Sequence, residues 1–209
     1  EGYNMSLSTV YCDEPIPSYV ITVDNLLKML SIQLRLKNDL PVIIMGETGC
    51  GKSSLITQLC ALIRVPLRTL NIHGGMSDID ILQWMSDRII EARSLNAAER
   101  IIIFLDEVNT CNCMGLFKEI ICDRSMDGIP LPKQIKIIAA CNPYRLKKTK
   151  FDTDDQMAGL VFDHFNGEHD ENVGSGITDP LRNLVYRVHP LPESMIDHVF
   201  DFGSLPPET

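Results

Sequence analysis

The chain has 209 residues, of which 44% are hydrophobic and 22% charged. That length suits one domain, alone or with a short appendage, and that composition can bury a core without disulfide or metal support, so a wholly disordered chain is excluded. Acids exceed bases by 28 − 19 = 9, for a net charge of −9, whereas a general phosphate-backbone binder needs a basic excess, so nucleic acid is not an expected partner.

The sequence opens on Glu1-Gly2-Tyr3, without an initiator Met or a basic-then-apolar leader. The expectation is a piece of a larger protein with no signal peptide. No apolar run reaches the ~18 residues that span a bilayer, so no transmembrane segment is expected. Residues 1–19 read as an N-terminal extension, interrupted by Pro15 and Pro17. After a short extended run at Val20–Val23, Asp24 or Asn25 would cap a helix carrying Leu26, Leu27, Met29, Leu30, Ile32 and Leu34 at helical spacing.

Pro41–Met45 is a continuous apolar run bounded by Gly46, the pattern of a strand buried on both faces. A helix is expected over Lys52–Ile63, a second strand over Leu67–Ile72, and a helix over Ile79–Ala92 after the break at His73-Gly74-Gly75. Ile101–Leu105 is a third buried strand and Gly115–Cys122 a short amphipathic helix. Asp127-Gly128 is a hairpin signal, and Ile135–Cys141 is a fourth strand ended by Asn142-Pro143.

Arg145, Lys147, Lys148 and Lys150 then form a basic cluster, read as a solvated element end or a contact surface for a neighbouring module. Residues 152–180 hold eight acids, from Asp152 to Asp179, and no Lys or Arg. They read as a solvated, partly mobile acidic insert. Leu184–Val188 is expected as a fifth strand, closed by Pro190 and Pro192. Strands alternating with helices imply an α/β fold with a five-stranded, mostly parallel sheet between helices. The core would run over 20–192, and 193–209 would be a C-terminal tail.

There are seven cysteines, an odd number at irregular spacing. Free thiols packed as small hydrophobes in a reducing compartment are the expectation. A zinc site on Cys111, Cys113 and Cys122 would lack a matching second ligand pair.

The chemistry concentrates in three places. Gly46-Glu47-Thr48-Gly49-Cys50-Gly51-Lys52-Ser53 fits the phosphate-binding P-loop pattern, and it stands between a buried strand and a helix as that mechanism requires. Its glycines let successive N–H groups curl toward phosphate oxygens, at a helix start carrying roughly half a positive charge. Lys52 would reach the β- and γ-phosphates, Ser53 would ligate Mg²⁺, and Ser54 completes the loop. A Gly-rich turn with an exposed lysine is the alternative. Asp106 and Glu107 end an apolar strand, where Asp106 would hold Mg²⁺ and Glu107 would orient water. A capping Asp with a surface Glu is the plain rival. Asn142 ends the next strand, where it would face the γ-phosphate, unless it is an ordinary Asn-Pro turn.

Arg182, Arg124 and Arg187 are candidates to stabilise transferred phosphate in trans, each with a surface or salt-bridge role as the alternative. His73 reads as a satisfied loop histidine, with a substrate-facing loop as the alternative, and Trp84 and Met85 read as core or interface filling in preference to a cofactor contact. No catalytic serine-histidine-acid arrangement is defensible.

P-loop, strand–Asp–Glu, strand–Asn and a later arginine, in this order, resemble the AAA+ ATPases over about residues 20–192. The strings GLFKEIICDRSMDG and AACNPYR are similar to the branch that contains dynein, midasin and the MoxR proteins. With GETGCGKS, HGG, FLDEVNT and LVYRVHPLPES they resemble one competent module of the mysterin family, giant dynein-like rings with a RING ubiquitin-ligase region. The resemblance implies a P-loop NTPase fold, ATP and Mg²⁺ as ligands, and Lys52, Ser53, Asp106, Glu107 and Asn142 in the roles above. It makes Arg182 the first choice for the trans arginine and Arg124 the second. It implies neighbouring AAA+ modules and ubiquitin-pathway proteins as partners of the parent, in the cytosol with lipid-droplet association. The seventeen residues after Pro192 are too few for the family's helical lid. A non-hydrolysing, ATP-holding scaffold is the alternative function, and a nucleotide kinase or GTP switch is a weaker third.

Overall fold

The computed structural model describes residues 19–145 and 184–203. Thr22, two or three residues ahead of the expected caps, starts α1 (Val23–Lys37) by accepting the N–H of Asn25 at 3.2 Å. β1 (Ile43–Met45) leads through the Gly-rich loop into α2 (Lys52–Ile63). β2 (Leu67–Asn71) is followed by α3 (Asp78–Arg93), which opens on a reciprocal capping box between Ser77 and Asp80. β3 (Ile101–Asp106) passes into a 3₁₀ turn at Val108–Thr110. The expected short helix divides into α4 (Met114–Lys118) and a wider π turn at Glu119–Asp123. β4 (Ser125–Met126) and β5 (Ile129–Pro130) form the hairpin. Asp127 and Gly128 both take positive φ, 51° and 72°, as a primed two-residue turn demands. β6 (Ile135–Cys141) matches its expected span, and α5 (Glu193–Ile196) and β7 (Val199–Asp201) follow.

Five parallel strands form one sheet in the order β2-β3-β6-β1-β7. Alternation along the strands divides the core between the two faces. Ile101, Ile103 and Leu105 join one cluster with Ile81, Met85 and Phe117, while Ile102 and Phe104 join a second with Met29, Ile32, Leu55 and Leu59. The α/β architecture of a P-loop NTPase, with helices over both faces, is therefore the fold.

The fifth strand is a correction. Leu184–Val188 is not in the sheet, and only Leu184 makes an isolated bridge. The fifth position belongs to β7, where Ile43 pairs with Val199 and Met45 with Asp201. Pro190 and Pro192 remove ladder donors close behind the apolar run at 184–188. Val-Phe-Asp is too short to announce itself, and its pairing comes from the backbone, including Phe202 N–H to Met45 O at 2.7 Å. The sheet thus extends past residue 192, where the core was expected to end.

The thiols of Cys60, Cys111, Cys113 and Cys141 are buried among these apolar side chains. Among the described residues no helix is long and apolar enough to cross a membrane.

Candidate functional site

Because β3, β6 and β1 are adjacent and parallel, their carboxyl ends share one edge of the sheet. The P-loop leaves β1 there, Asp106 closes β3, and Asn142 follows β6. In open α/β sheets this edge is where ligands lie.

The loop's shape follows from its glycines. Gly51 takes φ 90° immediately before α2, a conformation that costs a side-chain-bearing residue strain. Gly46 answers a different need, since a Cβ there would stand 2.9 Å from Cys50 Sγ and 3.0 Å from Phe202 Cβ. No side chain caps the start of α2, so its first N–H groups are free of a competing oxygen from that position. Thr48, Ser53 and Ser54 are exposed, and Glu47 and Cys50 are half-buried.

Lys52 is buried and turned back across its own loop. Its Nζ donates to Gly46 O at 2.6 Å and Glu47 O at 3.0 Å, with Asn142 Oδ1 3.5 Å away. The ammonium is therefore held at the loop's centre by carbonyls it would exchange for phosphate oxygens. Ser53 donates to Asp106 Oδ2 at 2.6 Å, joining the first turn of α2 to the end of β3. A hydroxyl and a carboxylate side by side form a hard-oxygen pair of the kind Mg²⁺ accepts, since that ion takes few protein ligands and keeps water and phosphate for the rest.

Glu107 occupies the left-handed region, at φ 59° and ψ 41°. A non-glycine residue there stores strain of about 1–3 kcal/mol. The strain is held by the following turn, where Thr110 N–H donates to Glu107 O at 3.0 Å. The side chain is aimed at Asn142, whose Nδ2 donates to Glu107 Oε1 at 3.2 Å. Asn142 is 4% exposed; its amide thus spans the gap between the P-loop lysine and the acid.

The loop residues, Asp106, Glu107 and Asn142 are all brought together at this edge. Arg124 is not. Its Nη2 donates to Ile135 O at 2.8 Å and its Nη1 lies 3.6 Å from Asp39. Ile135 begins β6 and Asn142 follows its end, so about 20 Å of strand separates Arg124 from the site of its own chain. Arg182, Lys147, Lys148, Lys150 and the acidic insert lie outside the described residues. His73 is engaged within its own turn, with Nδ1 accepting Gly75 N–H at 3.3 Å. Met85 is fully buried and Trp84 packs against the same cluster.

Two residues of the site went unassigned in the sequence. Arg145 pairs with Glu47 of the P-loop at 2.8 Å. Asn109 is 2% exposed and grips the backbone of Asn142. The available signals were faint: Arg145 opens a basic cluster that reads as a solvated face, and Asn109 is one polar residue after an apolar strand.

Residues 19–145 match the sequence model of the RNF213 AAA domain. The chain belongs to the RNF213 AAA domain family. It is 41% identical over 209 residues to the zebrafish (Danio rerio) E3 ubiquitin-protein ligase rnf213-beta, covering 94% of this chain. It is 41% identical to the mouse (Mus musculus) E3 ubiquitin-protein ligase RNF213 across 92% of the chain, and 38% identical to the human (Homo sapiens) RNF213 across 96%. The chain spans 4% of the length of each of these relatives. As an RNF213 AAA domain it carries a family relation that points to a nucleotide ligand, and the P-loop edge is where such a ligand would lie.

Proposed function

We propose that this RNF213-type AAA domain binds ATP with Mg²⁺ and hydrolyses it to ADP and phosphate. It would do so as one module of a multi-module ring within an E3 ubiquitin-protein ligase, and nucleotide state would control the shape of that ring. The observation that carries the reading is the Ser53–Asp106 contact at 2.6 Å, which places the loop helix and the acid-bearing strand against each other.

Residues 46–54 would cradle the phosphates, with Lys52 exchanging loop carbonyls for phosphate oxygens. Ser53 and Asp106 would hold Mg²⁺, which supplies charge neutralisation at the phosphates when bound. Glu107 has an acceptor oxygen placed to orient a water molecule and take its proton. Asn142 steadies that carboxylate and presents its own amide to the loop lysine. The charge lost with the γ-phosphate is what Lys52, Asn142 and an arginine in trans would all sense.

Arg182 remains the first choice for that arginine. Arg124 is the weaker choice on physical grounds, because reaching another module would break its bonds to Ile135 O and Asp39. The partners are neighbouring AAA+ modules of the same parent chain, with ubiquitin-pathway proteins reached through the parent. Thiols packed as core hydrophobes suit a reducing, cytoplasmic setting.

The test is Glu107→Gln in the full chain that carries this module. ATP affinity should be kept while phosphate release falls by about 10²–10⁴-fold, the usual contribution of a positioned base. Unchanged release ends the catalytic assignment. Thermal stabilisation by ATP with no phosphate release from the wild-type protein would instead favour a scaffold that holds ATP as a structural ligand. Competition by GTP equal to that by ATP would reopen the choice of base.

A further inference from the structure

Asn109 is no part of the P-loop, yet both polar ends of its side chain are committed to one residue of the site. Its Nδ2 donates to Asn142 O at 2.8 Å and its Oδ1 accepts Asn142 N–H at 3.1 Å. A side-chain amide has one acceptor end and one donor end, so this pairing reproduces what a neighbouring strand would offer. Asn142 needs such support. β6 ends at Cys141, whose carbonyl takes Gly46 N–H at 3.3 Å. Beyond that point the strand ladder no longer fixes the plane of the next residue.

Asn109 also stands between two other parts of the site. It lies in the 3₁₀ turn that begins just after strained Glu107. Its own carbonyl accepts His189 N–H at 2.7 Å. One short turn therefore holds Glu107 at its start, Asn142 through a side chain, and the segment returning at 184–191 through its backbone.

We infer that Asn109 is a positioning residue for hydrolysis: it fixes the Asn142 amide against Glu107 and ties that alignment to the chain at His189. The inference rests on the ATPase reading above. Both polar ends of the Asn109 side chain are spent on the Asn142 backbone, so its loss acts on alignment and not on affinity. A misplacement of the order of 1 Å at such a site costs about 10²-fold in rate.

The experiment compares wild type, Asn109→Ala, Asn142→Ala and the double variant in the full chain. Titration with a fluorescent ATP analogue gives affinity, and single-turnover phosphate release gives the rate. Asn109→Ala should keep the Kd within about threefold and lose about 10²-fold in rate. The double variant should be no slower than Asn142→Ala, because both act through one group. Asn109→Ser is neutral and keeps one group able to accept Asn142 N–H or donate to Asn142 O, so it gives a second variant with part of the loss. Wild-type turnover in Asn109→Ala, or losses that multiply in the double variant, would overturn the positioning role alone. So would a parallel loss of affinity and rate in both Asn109 variants, which marks a purely structural residue. Wild-type protein that binds no ATP would sink the ATPase reading and this inference together, and that shows before any variant is compared.

Discussion

Asn142 donates from Nδ2 to Glu107 Oε1 at 3.2 Å while its Oδ1 stands 3.5 Å from Lys52 Nζ. One amide thus touches the acid with its donor end and the P-loop lysine with its acceptor end. The orientation follows from charge, because the carboxylate only accepts and the ammonium only donates.

Removing that amide should separate binding from turnover. In Asn142→Ala, Glu107 loses a partner and Lys52 keeps its contacts to Gly46 O and Glu47 O. Phosphate release should fall by about 10²-fold, in the range for loss of one oriented donor. ATP affinity should change by less than about threefold, since 1.4 kcal/mol is already tenfold. Single-turnover assays beside equilibrium titration check both. Equal loss in the two would place Asn142 in binding and not in alignment.

Much of this was legible from residues alone. Periodicity set α2 and β6 at their observed bounds, and the P-loop string, Asp106-Glu107 and Asn142 do meet at one sheet edge. What stayed hidden depends on long-range pairing. β7 has three residues and no apolar run, and it exists because β1 needs a partner on its open side. Asn109 looks like any turn asparagine until β6 is laid beside it. The helix α1 was legible in period but not in facing, for only Met29, Ile32 and Leu36 are buried in it while Leu26, Leu27, Leu30 and Leu34 are exposed.

The thiols should divide by reactivity. Burial pushes Cys141 up to about 12, with Lys52 pulling the other way, while burial, helped by the neighbouring Asp78 and Cys111, pushes Cys113 up to about 12. Both stay protonated at pH 8, and the thiolate is the reacting form. Cys50 is half-buried in the P-loop. Maleimide should therefore modify Cys50 well before Cys141 or Cys113, and MgATP should slow the Cys50 reaction in proportion to the bound fraction. Peptide mapping by mass spectrometry follows each site separately. Labelling of Cys50 at one rate with and without saturating nucleotide would contradict its place in the ligand cradle.

Asp39 gives the protein an acid-side weakness of definite sign. A hydrogen bond from Lys136 is the main influence holding its carboxyl below the ordinary value, with the charges of Lys136 and Arg124 adding and burial opposing. A group whose pKa is depressed by folding adds stability above its unfolded value of about 3.9, and that contribution fades as pH falls through the folded value. The Asp39 side chain is 53% exposed, so the contribution is about 1 kcal/mol or less. Asn tolerates the left-handed backbone found there, φ 56°. Urea melts of Asp39→Asn should therefore show a deficit against wild type between pH 5 and 8 that shrinks toward pH 3. A deficit independent of pH would remove the ion pair as its source.

Gly46→Ala tests whether the cradle depends on close approach at its first residue. The added Cβ would meet Cys50 Sγ at 2.9 Å, Phe202 Cβ at 3.0 Å and Gly203 O at 3.5 Å. No positive φ is involved at this position, so the effect is steric. Either the loop shifts off the end of β7 or the β7 segment moves, at a cost of about 1–3 kcal/mol for overpacking. A shifted loop carries its N–H groups and Lys52 with it, so ATP affinity should fall together with stability, unlike the outcome for Asn142→Ala. Since the nearest atom is the sulfur, adding Cys50→Ala should restore part of both losses. Phe202 and the Gly203 carbonyl would still press on the Cβ, so restoration should be incomplete. Thermal melts with and without ATP on the single and double variants decide it. A Gly46→Ala protein with wild-type affinity and melting would mean that the loop has slack where the packing shows none.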